Sequence, residues 1–261
     1  MNSSSSMPIA RLRGSILRDV SRSFYLSVRL LPRPLRDPIA LAYLLARATD
    51  TIADTAEIEV PLRLAKLRVL AALIQGGRPA EAGDTFQSFA ALQSIAAERA
   101  LIERLPNCLD WLRALSEDDL QDIRVVLSEI NEGQMLDVER FQNAKQIVAL
   151  ATSAELDRYT YLVAGCVGEF WTRVCFRHLP RFTSESRETM LDRGVAFGKG
   201  LQLVNILRDV GADLRIGRCY LPAEELQTAG VAPSELSENP AEAEPVIRAW
   251  REKAEQGMMA G

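Results

Sequence analysis

The stretch LQLVNILRDVGADLRIGRCYLP, Leu201 to Pro222, sets Gln202, Asn205, Asp209 and Asp213 at spacings of three, four and four. At about 100° per residue these groups form one slowly drifting polar stripe on a helix. Leu201, Leu203, Val204, Ile206, Leu207 and Val210 supply the apolar surface around it. Asp209 and Asp213 are one turn apart, about 6 Å along the axis, and point the same way. Like charges that close repel unless a cation joins them. Taken alone, a DxxxD is most simply a solvated helix face.

The pattern occurs twice. In ALAYLLARATDTIADT, Ala40 to Thr55, Asp50 and Asp54 are again four apart and follow the apolar run Ile39 to Ala46. An acid at the edge of that much buried surface is costly unless it is partnered. An oxygen-seeking cation resolves the conflict. Magnesium takes a few carboxylates, keeps several waters and accepts phosphate oxygens. Two aspartate pairs therefore suggest a diphosphate held by magnesium, with Arg47 and Arg208 adding charge-assisted contacts to its oxygens.

Five ordered blocks then carry a resemblance. SRSFYLSVRLLP (Ser21 to Pro32), YLLARATDTIAD (Tyr43 to Asp54), RYTYLVAGCVGEF (Arg158 to Phe170), NILRDVGAD (Asn205 to Asp213) and GRCYLP (Gly217 to Pro222) resemble the head-to-head prenyl synthases: squalene, dehydrosqualene and phytoene synthases. The resemblance covers about residues 15 to 222. It implies an all-α, isoprenoid-synthase-type helical bundle around a central cavity. It implies metal at Asp50, Asp54, Asp209, Asp213 and Asn205, and substrate contacts from Ser21, Ser23, Tyr43, Arg47, Gln202, Asn205, Arg208 and Arg218. Tyr159 falls where the family has its functional tyrosine, with Tyr161 as the neighbouring candidate. Gln134 and Asp137 lie on a helix where the family has a further aspartate facing the diphosphates. In its charged surroundings Asp137 is equally readable as solvated, and both readings stay open.

The implied activity is magnesium-dependent condensation of two farnesyl diphosphates through a cyclopropyl diphosphate. Asp50, Asp209, Arg47, Arg208 and Tyr159 are its catalytic candidates. The Asp-Thr pairing in ATDTIAD is closer to the squalene synthases, so squalene formed with NADPH is the leading expectation. Phytoene or dehydrosqualene synthesis without reduction is the alternative. A cyclising terpene synthase and a non-catalytic relative are the rivals. The chain departs from the family after GRCYLP, where VAPSELSENPAEAEP leads to one short helix and the end at MMAG, so a truncated chain or a shortened member is expected, with the cavity lid, any C-terminal nicotinamide contacts and activity itself left open.

The 261 residues, 48% hydrophobic and 25% charged, suffice for one large core. A net charge of −4 with no basic stripe argues against nucleic acid. The four cysteines lack CxxC spacing and read as reduced core thiols, and the single histidine, His178, as a structural residue near a helix end. No run approaches the roughly 18 apolar residues needed to span a bilayer. A cytoplasmic monomer is expected, with contact at the inner membrane face for product release left open.

Helical periods run throughout: Ile16 to Val28, a helix started by Asp37-Pro38, Pro61 to Ile74, Ser88 to Leu105, Cys108 to Leu115, Ser116 to Phe141, Thr152 to Phe176 and Arg187 to Leu214. Residues 1–14 read as a disordered lead-in to one domain over 15–261. In Val163 to Gly168, small residues recur, and each glycine costs about 1 kcal/mol of helix propensity. Either close helix packing or room for an isoprenoid chain explains them.

Overall fold

A computed structural model describes residues 9–21, 23–55, 57–80, 85–142 and 146–261. The fold is all-α, and it divides into two compact units: Met1–Met135 with Arg177–Pro180, and Leu136–Phe176 with Arg181–Gly261. No Pro-, Gly- or Ser-rich stretch marks the boundary at residues 135 and 136, which is why the sequence reads as one domain.

In the first unit the central element is Arg33–Asp54. Leu41, Leu44, Leu45, Ala48 and Ile52 are all fully buried on it. Their spacing of three, one, three and four is the helical stripe that fixes this helix's rotation. It packs against the helices Val60–Ile74, Ala96–Glu103 and Leu105–Ala114. Contrary to the sequence reading, Asp37-Pro38 does not start this helix. Pro32 is its N-cap, Pro34 occupies the first turn, and Pro38 lies inside. Pro38 removes one intrahelical bond, and the burial of Leu35, Ile39 and their successors outweighs that loss.

Two further expectations are corrected. Ile16 to Val28 is not continuous: Leu12–Ile16 (wound as a π-helix), Leu17–Ser21 and Phe24–Leu30 are separate elements. Leu12 and Leu17 are fully buried, so the packed chain begins before residue 15; residues 1–8 of the expected lead-in lie outside the described residues. Ser88 to Leu105 is also divided, into Thr85–Ala91 and Ala96–Glu103. Gln93 turns inward between them, and its Nε2 donates to Thr55 Oγ1 at 3.2 Å. Leu105–Ala114 then restarts with Pro106 in its first turn, the position where a missing N–H costs least.

The Glu117–Arg140 helix begins as expected, with Ser116 Oγ accepting from the Asp119 amide at 3.3 Å. In the second unit, Thr152 caps Ser153–Thr160, which continues as a π-helical turn over Tyr161–Gly165 and then as Cys166–His178. Arg187–Arg215 is the long helix of this unit, and Glu244–Ala260 packs along it. The core between them includes Leu156, Leu203, Ile206, Leu221 and Trp250.

Gly168 and Gly194 explain the small-residue run. A Cβ on Gly168 would lie 1.8 Å from the Gly194 carbonyl oxygen, so the two helices meet backbone against backbone. Close packing is the cause at these positions.

The sequence showed no clear strand. The structure has a short parallel pair, β1 (Val148–Leu150) and β2 (Arg218–Pro222), in register Val148 with Arg218 and Ala149 with Cys219. Gly217, at φ 80°, ends the long helix and turns the chain into β2. That left-handed conformation favours glycine.

Candidate active site

The second unit gathers most of the candidate residues. Alternation along β2 sends Arg218 and Tyr220 to one face, and both reach Asp137. Tyr220 Oη donates to Asp137 Oδ1 at 2.8 Å, and Arg218 pairs with Oδ2 at 3.1 Å. Asp137 is therefore engaged inside the fold and not solvated. Tyr159 stacks on Tyr220 with ring centroids 4.9 Å apart, and Phe141 meets Tyr220 edge-on at 5.3 Å. Burial and the neighbouring Asp137 hold the Tyr159 phenol well above its ordinary range, so it is a neutral hydroxyl.

Asp209 and Asp213 occupy the last two turns of Arg187–Arg215. Burial pushes the Asp213 carboxyl up; Arg218 opposes this, while Asp209 and Asp137 reinforce it. Arg208 folds onto its neighbour Asp209 with contacts of 2.9 and 2.7 Å, and these hydrogen bonds lower the Asp209 carboxyl. Asn205 and Gln202 lie one and two turns upstream of Asp209 and line an apolar cavity of about 550 Å³. Its walls include Val163, Val167, Trp171 and Phe197. Because Asn205 precedes Asp209 by four residues, the cavity ends about one turn, roughly 6 Å, from the carboxylates. The small residues thus serve a second purpose beside packing, since Ala164, Gly168 and Gly198 also border this cavity.

The first unit holds the other pair. Burial, aided by the charge of Asp54, pushes the Asp50 carboxyl up to about 6, against a weaker pull from Arg47. Arg47 is itself bound to Glu98, and Gln134 donates its amide to Asp50. Tyr43 stacks on Phe24 at 4.5 Å, and its hydroxyl donates to the Val20 carbonyl. Ser21 is buried with Oγ unpartnered, whereas Ser23 is exposed at the N-cap of Phe24–Leu30.

The donors at both pairs are oxygens, as magnesium requires. In each pair one carboxyl is held above its usual range by burial and like charge, which is the electrostatic condition a cation relieves. Among the described residues no three His, Cys, Asp or Glu side chains converge on one metal position. A cation at either pair would complete its shell from water and ligand oxygens.

Sequence reasoning missed Tyr220, Phe141 and Glu98. Tyr220 was within reach, because it stands two residues from Arg218 in GRCYLP. Glu98, 51 residues from Arg47, has no local signal.

The family profile described as squalene/phytoene synthase matches residues 17–259. The chain belongs to the squalene/phytoene synthase family. Among family relatives, the bifunctional lycopene cyclase/phytoene synthase of Phaeosphaeria nodorum is 30% identical over 237 residues, covering 89% of this chain and 37% of that protein. The phytoene synthase of Pseudescherichia vulneris is 31% identical over 223 residues, covering 82% and 59%. The chain thus spans between about a third and three fifths of the length of these curated relatives. The solved squalene synthase of Alicyclobacillus acidocaldarius shares the fold with a TM-score of 0.62 at 20% identity, covering 98% of this chain and 84% of that one. No described helix is long and apolar enough to cross a membrane.

Proposed function

We propose that this family member condenses two C20 allylic diphosphates head to head, as a phytoene synthase does, and uses no reductant. The observation that carries the chemistry is the pair of DxxxD helix ends, each with one carboxyl, Asp50 or Asp213, held above its usual range. The relatives named phytoene synthases support the product. This moves the leading reading away from squalene and NADPH, toward the alternative.

Asp50 and Asp54, and Asp209 and Asp213 with Asn205, would hold magnesium. When bound it supplies positive charge that stabilises the departing diphosphate. Arg47 and Arg208 exchange their partners Glu98 and Asp209 for phosphate oxygens, and Ser21 offers its unpartnered hydroxyl. Loss of the first diphosphate gives an allylic cation, which the double bond of the second substrate attacks. Loss of a proton closes a cyclopropyl ring. Loss of the second diphosphate, rearrangement and loss of a second proton then yield the C40 hydrocarbon with a conjugated triene at its centre. The apolar cavity beside Asn205 shelters the chain and excludes water that would trap a cation. Tyr159, a neutral phenol in an aromatic cluster, presents a ring face to positive charge.

A second reading, squalene from the C15 diphosphate with NADPH, is favoured by Thr51 following Asp50. Incubation with each diphosphate and magnesium, with and without NADPH, followed by mass analysis of the extracted lipid, separates them. Phytoene from the C20 substrate without NADPH is expected. Squalene formed only with NADPH would establish the second reading. No diphosphate release from either substrate overturns both.

A further inference from the structure

We infer that the outer face of the Phe24–Leu30 helix is a docking surface for an anionic phospholipid membrane. Leu26 and Leu30 are 60% and 86% exposed. They are four residues apart and share a face, with exposed Ser27 beside them, while Val28 turns inward. Other large apolar side chains exposed in this unit, such as Leu62 and Val125, lack an exposed large apolar neighbour one turn away. Leu92 and Ile95 are three apart, but both lie in the non-helical link between Thr85–Ala91 and Ala96–Glu103 and so share no helix face.

The surrounding charge selects the occupant. From Ile9 to Arg36 the sequence carries seven arginines, no lysine and one acid, Asp19, in a chain whose net charge is −4. Arg29, between the two leucines, lies 5.8 Å from the Tyr25 ring centroid, and Arg33 is exposed three residues beyond Leu30. Two of the other arginines are drawn to acids, Arg13 to Asp37 and Arg18 to Asp19. Exposed leucines set among arginines match the boundary between acyl chains and anionic headgroups, where apolar burial and charge attraction add. An exposed apolar patch with a basic rim marks an interaction site, and this rim complements negative lipid. A hydrocarbon product needs a membrane to receive it, but the docking face stands independently of which product is made.

The test is flotation of the full-length protein with vesicles of phosphatidylcholine alone or mixed with phosphatidylglycerol. Binding to the mixed vesicles, weakened by raised salt, is expected. Leu26→Ser with Leu30→Ser should lower it at least about tenfold, and Arg29→Gln or Arg33→Gln about fivefold each. Circular dichroism and thermal melting check that each variant is folded. Equal binding to both vesicle types, or binding that the leucine variant leaves intact, overturns the inference. So does a dimer in solution that the leucine variant dissolves in the absence of lipid binding. Turnover of the diphosphates is measured separately, so failure of the proposed reaction leaves this result readable.

Discussion

Tyr220 and Asp137, 83 residues apart in sequence, are joined by a 2.8 Å hydrogen bond in which the phenol donates to the carboxylate. The other oxygen of Asp137 binds Arg218, so one strand engages both oxygens of a single acid. Tyr220→Phe keeps the ring stacked on Tyr159 and removes only the hydroxyl. A largely buried carboxylate losing a donor costs about 1–3 kcal/mol. The variant should unfold at lower denaturant by that amount, and its kcat should fall about tenfold with KM little changed, as measured by steady-state diphosphate release.

Asp50 should show the opposite balance of stability and activity. Its charge is opposed by burial and by Asp54, and its carboxyl sits at about 6. At pH 7 the ligand-free protein therefore carries an unfavourable buried charge. Asp50→Asn removes the charge and keeps an oxygen to accept from Gln134. It should stabilise the ligand-free protein by about 1–3 kcal/mol and lower turnover at least about a hundredfold. Denaturant titration at pH 7 beside an activity assay checks both. A variant less stable than the parent would show that Asp50 is held by attractions stronger than its burial.

The two aspartate motifs, the all-α class and most helix ends were legible because each rests on local physics. Spacing places Asp209 and Asp213 on one face, and Ser116 and Thr152 announce their caps. What was not legible depends on partners distant in sequence. Asp137 stayed open between a solvated and a site-facing reading, because only β2, 81 residues on, supplies Arg218. The strands escaped because Val148–Leu150 is three residues long and its pairing is parallel. The Asp37-Pro38 signal misled because Pro32 and Pro34 already begin the helix, and the apolar stripe carries it through Pro38.

Acid stability should depend on Asp119. Burial pushes its carboxyl up, but hydrogen bonds from His178, Arg177 and Ser116 outweigh this and hold it below its ordinary 3.8. A carboxyl lowered by folding contributes stability that is present above the unfolded value and lost as pH falls through the folded one. The protein should therefore lose stability as pH drops below about 4. Asp119→Asn should be weaker at pH 7 and should flatten that acid-side slope. Chemical unfolding at a series of pH values between 2 and 7 reads both, and an unchanged slope would assign the acid loss to other carboxyls.

Gly168 tests whether the small-residue run is there for packing. Its added Cβ would fall 1.8 Å from the Gly194 carbonyl oxygen, a backbone atom that no rotamer change moves. Gly168→Ala gains roughly 1 kcal/mol of helix propensity but must push the Cys166–His178 helix away from Arg187–Arg215. The clash wins, because overpacking against fixed backbone costs about 1–3 kcal/mol or more. The expected result is a net loss of about 2 kcal/mol or failure to fold. Gly211→Ala is the control: nothing lies within 4 Å of its Cβ position, so the same propensity gain appears without the clash. It should raise the melting temperature, while Gly168→Ala lowers it. Equal shifts in the two variants would mean that the helices are free to move apart at Gly168, and the run would then be explained by the adjoining cavity alone.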